Sequence, residues 1–210
     1  MLLSERSTTS ALLKANIESS VAVHGRFAED CLPVLETAAA ALVSAYKSGR
    51  KAIFFGNGGS AADAQHLAAE FVGRYLRERR PLPALALNAN TSALTGIGND
   101  YGYREVFARQ LEALAVPGDV AIGISTSGKS ENVVEAVIRA RRLGLYTIAF
   151  SGASGGALRD LVDTLVAVPS DCTPRIQECH ILAGHALCDA VESALMQDSA
   201  ACSITRVDLR

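Results

Sequence analysis

The chain has 210 residues, enough for one domain with a sizeable core, with or without an added helical segment. Hydrophobic residues make up 49% and charged residues 20%, which sets it apart from disordered chains. The formal net charge of −2 argues against a nucleic-acid-binding surface, and no stretch approaches the roughly 18 uncharged apolar residues that span a bilayer.

The first residues, Met-Leu-Leu-Ser-Glu-Arg, carry an early acid and no apolar run of signal-peptide length. The five cysteines (Cys31, Cys172, Cys179, Cys188, Cys202) are odd in number and lack paired spacing. Reduced thiols in a cytoplasmic protein are expected. From about Thr8 to Gly49 the residues read as helix. Leu12, Leu13, Ile17 and Val21 follow helical spacing, and Pro33 is expected to break the helix before a second one over Val34–Tyr46. Residues 1–50 are thus expected to form a helical segment ahead of a domain over residues 51–210.

Beyond Lys51 short apolar runs alternate with helical stretches. Ala52–Phe55, Ala84–Leu87, Val120–Ile124, Tyr146–Phe150 and Leu165–Val168 lack polar alternation, as strands buried on both faces do. Ala61–Arg77, Glu131–Leu143 and Arg175–Met196 have helical spacing and length. Repeated strand–helix units predict an α/β fold, a doubly wound sheet with helices on both faces. Ligands then bind at the carboxyl ends of the strands, where loops meet helix N-termini. The basic cluster between Arg74 and Arg80 contains Glu78 and reads as a solvated helix end.

Two loops have the chemistry of an anion site. Gly56-Asn57-Gly58-Gly59-Ser60 follows the first strand and opens a helix, whose unpaired N–H groups attract negative charge. Gly56-x-Gly58-x-x-Ala61 also satisfies a dinucleotide fingerprint, but that unit needs an acid at the end of its second strand. The second strand here ends in Leu87-Asn88-Ala89-Asn90, without one. Ser125-Thr126-Ser127-Gly128-Lys129-Ser130 follows the third strand. With Gly123 it matches the P-loop pattern literally, yet Gly123 falls inside the apolar run and no other strand ends in a metal-binding acid. Four hydroxyls at a helix start suit a phosphate monoester instead. A third loop, Ser151-Gly152-Ala153-Ser154-Gly155-Gly156, reads as a plain turn.

His66, Glu70 and Arg74 recur every four residues and form one polar stripe on the predicted second helix, within two turns of the first loop. The last helix offers Gln177, His180 and His185. Cys179, His180, His185 and Cys188 do not share a face, so a local Cys/His zinc site is not expected. Spacing alone does not pair residues of the two helices.

Gly56 to His66, then Gly98-Asn99-Asp100-Tyr101-Gly102, Ser125 to Ser130, and Arg175-Ile176-Gln177-Glu178 together resemble the phosphoheptose isomerases of the sugar isomerase (SIS) domain family. The likeness runs from about Glu29 to Leu195, with the motifs in the same order. It implies a three-layer α/β/α sandwich with a five-stranded parallel sheet and N-terminal helices. It further implies a homotetramer with active sites at subunit interfaces. Substrate contacts fall on Asn57, Gly58, Gly59, Ser60, Arg74, Asn99, Asp100, Ser125, Thr126, Ser127, Ser130 and Gln177. Zinc positions fall on His66, Glu70, Gln177 and His185, and the acid–base pair on Glu70 and His185. The implied reaction interconverts sedoheptulose 7-phosphate and D-glycero-D-manno-heptose 7-phosphate through a cis-enediol. The alternative is a regulatory relative that binds a replication initiator, a class that generally lacks the acid–base pair. Some members place an acid just before Arg-Ile-Gln, where this chain has Thr173-Pro174.

Overall fold

The structure is a computed structural model in which the backbone is described for residues 2–205 and the side chains for residues 8–197. The first residues of the chain and Cys202, read above, lie outside the side chains described. Five parallel strands, β1 (Ala52–Gly56), β2 (Ala84–Ala86), β3 (Val120–Ile124), β4 (Tyr146–Gly152) and β5 (Thr164–Val168), form one sheet in the order β2-β1-β3-β4-β5. The apolar runs of the sequence fall on these strands; β1, β3 and β4 are buried on both faces, whereas the edge strands β2 and β5 are partly exposed on one.

Among the described residues six α-helices surround the sheet: α1 (Leu2–Lys47), α2 (Gly59–Val72), α3 (Thr91–Tyr101), α4 (Ala108–Leu114), α5 (Glu131–Arg142) and α6 (Thr173–Thr205). Alternate strand residues face opposite layers. Phe54, Ile122, Ile148, Phe150 and Val166 pack with α1, α2 and α6. Ile53, Phe55, Ala121 and Ala149 pack with α4 and α5 on the other face. The result is the expected three-layer sandwich.

The expected break at Pro33 does not occur. α1 runs through it, because Phe27 and Cys31 before the proline and Ala38 and Leu42 after it are all buried in one core cluster. Packing on both sides outweighs the one lost backbone hydrogen bond. Leu12, Leu13, Ile17 and Val21 are helical as expected but remain largely exposed in the monomer. No helix among the described residues is long and apolar enough to cross a membrane.

α2 stops at Val72, short of the expected Arg77. Arg79 folds back and donates to the carbonyls of Glu70 (2.9 Å) and Phe71 (2.9 Å), so a side chain satisfies the helix end. The basic cluster is therefore not simply a solvated helix end, since the Arg79 side chain is only 6% exposed. α3 and α4 were not expected.

Candidate active site

The sheet order places β1 and β3 side by side, with the chain departing in opposite directions from them. A crevice forms at such a switch point, beyond the carboxyl ends of the two strands. The Gly56–Ser60 and Ser125–Ser130 loops follow these two strands.

In the first loop the Asn57 amide is held by three hydrogen bonds. Its Nδ2 donates to Asn132 Oδ1 (2.8 Å), while its Oδ1 accepts from Asn132 Nδ2 (2.9 Å) and from the Tyr103 hydroxyl (3.1 Å). Asn132 lies buried in the first turn of α5. Asn88, which stands where a dinucleotide site would need its acid, bridges the backbone of Gly56 with both amide atoms. Ser60 is buried against Gly56. Asn99 and Asp100 are exposed at the end of α3 and bond each other at 2.8 Å.

In the second loop Ser125 and Ser130 hydroxyls lie 3.0 Å apart. Ser130 occupies the N-cap position of α5 without using its side chain to cap the helix. Ser127 accepts from the Lys129 backbone N–H. A cavity of about 210 Å³ opens beside this loop, with Thr126, Ser127, Lys129, Ser154, Asp171 and Thr173 in its wall. The Ser151–Gly156 segment is more than a plain turn. A side chain at Gly128 would run into the Gly155 carbonyl and lie 2.9 Å from Gly156 N, so the segment buttresses the hydroxyl loop. Gly123 faces Val133 and Phe55 inside the sandwich, as a packing glycine rather than a loop opener.

α2 and α6 lie side by side, and their contacts run in matching order along both helices. Gln177 covers Gly59, where any Cβ would meet the amide. Two turns on, Gly184 meets Leu67: an added Cβ would clash with Cδ2 and lie 2.6 Å from Cδ1. This close approach sets His185 against His66, with the Nε2 atoms 2.8 Å apart, one ring donating and the other accepting. His66 Nε2 is 3.5 Å from Glu70 Oε1. Ligand atoms of His66, Glu70 and His185 all lie within 4.8 Å of one another. Burial pushes the nearby Asp63 carboxyl above its ordinary range, an effect that His66 and His185 oppose.

Not every polar residue that the two helices offer joins this group. Arg74 lies beyond the end of α2, exposed and 3.6 Å from Glu78, so the polar stripe stops at Glu70. His180 is fully buried, bonds the Ser151 carbonyl and stays out of the cluster. The residues not foreseen were Asn132, Tyr103, Tyr75, Arg79 and Glu192. Glu192 had one signal, an acid on the core face of α6 between Cys188, Val191 and Leu195.

Residues 17–152 match the SIS domain. A phosphoheptose isomerase from Aquifex aeolicus is 56% identical over 158 residues, covering 75% of this chain and 83% of its own length. The chain belongs to the phosphoheptose isomerase family. A second member, from Bradyrhizobium, is 50% identical over 89% of this chain and 96% of its own. The solved phosphoheptose isomerase of Neisseria gonorrhoeae superposes with a TM-score of 0.84 at 42% identity, covering 88% of this chain and 98% of its own. The family's fold is thus present here from α1 to α6.

Proposed function

We infer that this protein is an aldose–ketose isomerase that interconverts sedoheptulose 7-phosphate and D-glycero-D-manno-heptose 7-phosphate. The observation that carries this reading is the meeting of Glu70 and His185, 115 positions apart in the sequence, in one cluster beside the loops at the switch point. A regulator that binds a replication initiator would have no use for that pair.

Moving the carbonyl from C2 to C1 requires a base at carbon and a group that moves protons at oxygen. Glu70 takes a proton from C1 while His185 protonates O2, giving a cis-enediol. His185 then accepts the O1 proton and Glu70 returns its proton to C2. Imidazole suits the oxygen role because its ordinary pKa lies near neutrality. Ser125, Thr126, Ser127 and Ser130 hold the phosphate, with the free N–H groups at the start of α5. Anchoring that remote group keeps C1 and C2 in register with the pair. Asn57, Gly58, Gly59, Ser60, Asn99, Asp100 and Gln177 line the carbon chain, and Arg74 borders it.

Two imidazoles and a carboxylate are a donor set that fits zinc. His66, Glu70 and His185, with Gln177, would hold the ion. When bound it would share Glu70 and His185 with the acid–base pair, each of which has a second carboxylate oxygen or ring nitrogen for protons, and would polarise a substrate oxygen and favour the enediolate charge. The exposed apolar line of Leu12, Leu13, Ile17 and Val21 supports a homotetramer, with residues 1–50 packing both on the domain of residues 51–210 and on the oligomer interface, within one structural domain overall. Unpaired Cys31, Cys172, Cys179 and Cys188 accord with a cytoplasmic enzyme.

Turnover of sedoheptulose 7-phosphate by Glu70→Gln and His185→Ala tests the assignment. Loss of about 10²-fold or more in kcat is expected of each, with the fold retained. Undiminished turnover in either variant removes its residue from the mechanism.

A further inference from the structure

Behind the acid–base pair lies a buried charged group that the mechanism does not use. The Glu192 side chain is 0% exposed. Its carboxylate accepts the backbone N–H groups of Tyr75 (2.7 Å), Leu76 (3.0 Å) and Arg77 (3.0 Å) and lies 2.9 Å from Arg79 Nε. A buried carboxylate is costly unless such partners surround it. Burial alone would raise its pKa; the three N–H groups and Arg79 together hold the carboxyl below the ordinary range.

Two arms lead from Glu192 to the reacting residues. Through Arg79, whose guanidinium bonds the Glu70 carbonyl at 2.9 Å, it fixes the backbone that carries the carbon base. Through the turn it caps, it places the Tyr75 ring over the His185 imidazole, with centroids 5.4 Å apart and planes at 24°. The His185 ring is then set from one face by Tyr75 and from its edge by His66. A device that only ended α2 would need the Arg79 carbonyl bonds alone. The stacked ring goes further.

We propose that Glu192, with Arg79 and Tyr75, forms a positioning unit that orients Glu70 and His185 toward each other. The inference rests on the isomerase reading for its kinetic consequence. It does not involve the phosphate loop, so its loss lowers kcat and leaves KM within about twofold. Glu192→Gln keeps the shape but turns an N–H₂ toward backbone donors. Tyr75→Leu keeps apolar volume, leaves Glu192 and Arg79 in place and removes the ring. Tyr75→Phe keeps the ring.

The experiment measures kcat, KM and zinc affinity, the last by competition with a chromophoric chelator, for the full-length protein and these three variants. Tyr75→Leu is expected to lose about tenfold in kcat and in zinc affinity, as when groups behind a metal ligand are removed, while Tyr75→Phe stays near wild type. Glu192→Gln, if folded by circular dichroism, is expected to lose at least as much as Tyr75→Leu. Wild-type kcat and zinc affinity in Tyr75→Leu overturn the proposal, as does an equal loss in Tyr75→Phe. A wild-type protein that binds zinc without turning over sedoheptulose 7-phosphate overturns the isomerase reading. The zinc affinities of the variants then still decide the positioning unit.

Discussion

Gly184→Ala is a one-methyl test of how the proposed acid–base pair is assembled. The added Cβ would clash with Leu67 Cδ2 and lie 2.6 Å from Cδ1 and 3.0 Å from Cγ, where carbon atoms in contact sit about 3.5–4.0 Å apart. Leu67 is 1% exposed, and the neighbouring cavity, bounded by Phe54, Phe71, Ile122 and Leu187, holds only about 10 Å³. A void of that size lets the end of the leucine relieve only part of the clash, so α6 is expected to move from α2 by up to roughly 1 Å. Overpacking of this kind costs about 1–3 kcal/mol of stability. The same shift separates His185 from His66 and Glu70, and a misplacement of about 1 Å costs about 10²-fold in rate. The assay is sedoheptulose 7-phosphate turnover well below the unfolding temperature, with denaturant unfolding beside it. Leu67→Ala in the same chain makes room for the methyl, and the double variant is expected to recover at least about 1 kcal/mol relative to the sum of the single changes. A folded Gly184→Ala protein with wild-type kcat would refute the claim that this contact sets the geometry.

At the other end of the helix pair, Gly59→Ala is expected to push the Gln177 amide aside and weaken zinc binding about tenfold, measured by chelator competition. Asn132→Asp loses its donation to Asn57 Oδ1, and KM is expected to rise several-fold with kcat changed less, read from steady-state kinetics. His180 supplies a pH test. Burial lowers its pKa to about 4, although the bond to the Ser151 carbonyl acts to raise it. Below about pH 6.5 the unfolded chain takes up a proton that the folded one refuses until about pH 4, so stability falls as pH drops through that window. The loss amounts to about 3 kcal/mol, and His180→Gln is expected to flatten that part of the stability curve in denaturant titrations.

The strands were legible because burial on both faces removes polar alternation, and the two loops because helix starts after strands concentrate glycines and hydroxyls. α3 was not legible: Gly96 and Gly98 interrupt it, and none of its residues is fully buried, so no apolar period marks it. Pro33 misled because a local rule met packing from both sides. The cluster of Arg74 to Arg80 misled because the partner of Arg79 is Glu192, more than a hundred positions away. The same limit hid the pairing of His66 with His185. Each lies on its own helix, and their meeting depends on a Gly184–Leu67 contact that spacing within either helix does not encode. Asn132 was invisible for a related reason, since an asparagine in the first turn of a helix reads as ordinary.

The most direct test of the central claim follows sedoheptulose 7-phosphate and the wild-type protein in D₂O by NMR. Proton transfer through Glu70, whose side chain is 22% exposed, predicts D-glycero-D-manno-heptose 7-phosphate in which part of the C2 hydrogen is solvent deuterium, taken up where the carboxyl exchanges before it returns its proton, and Glu70→Gln is expected to lose both product and exchange. No product, or undiminished product and exchange in Glu70→Gln, would contradict it.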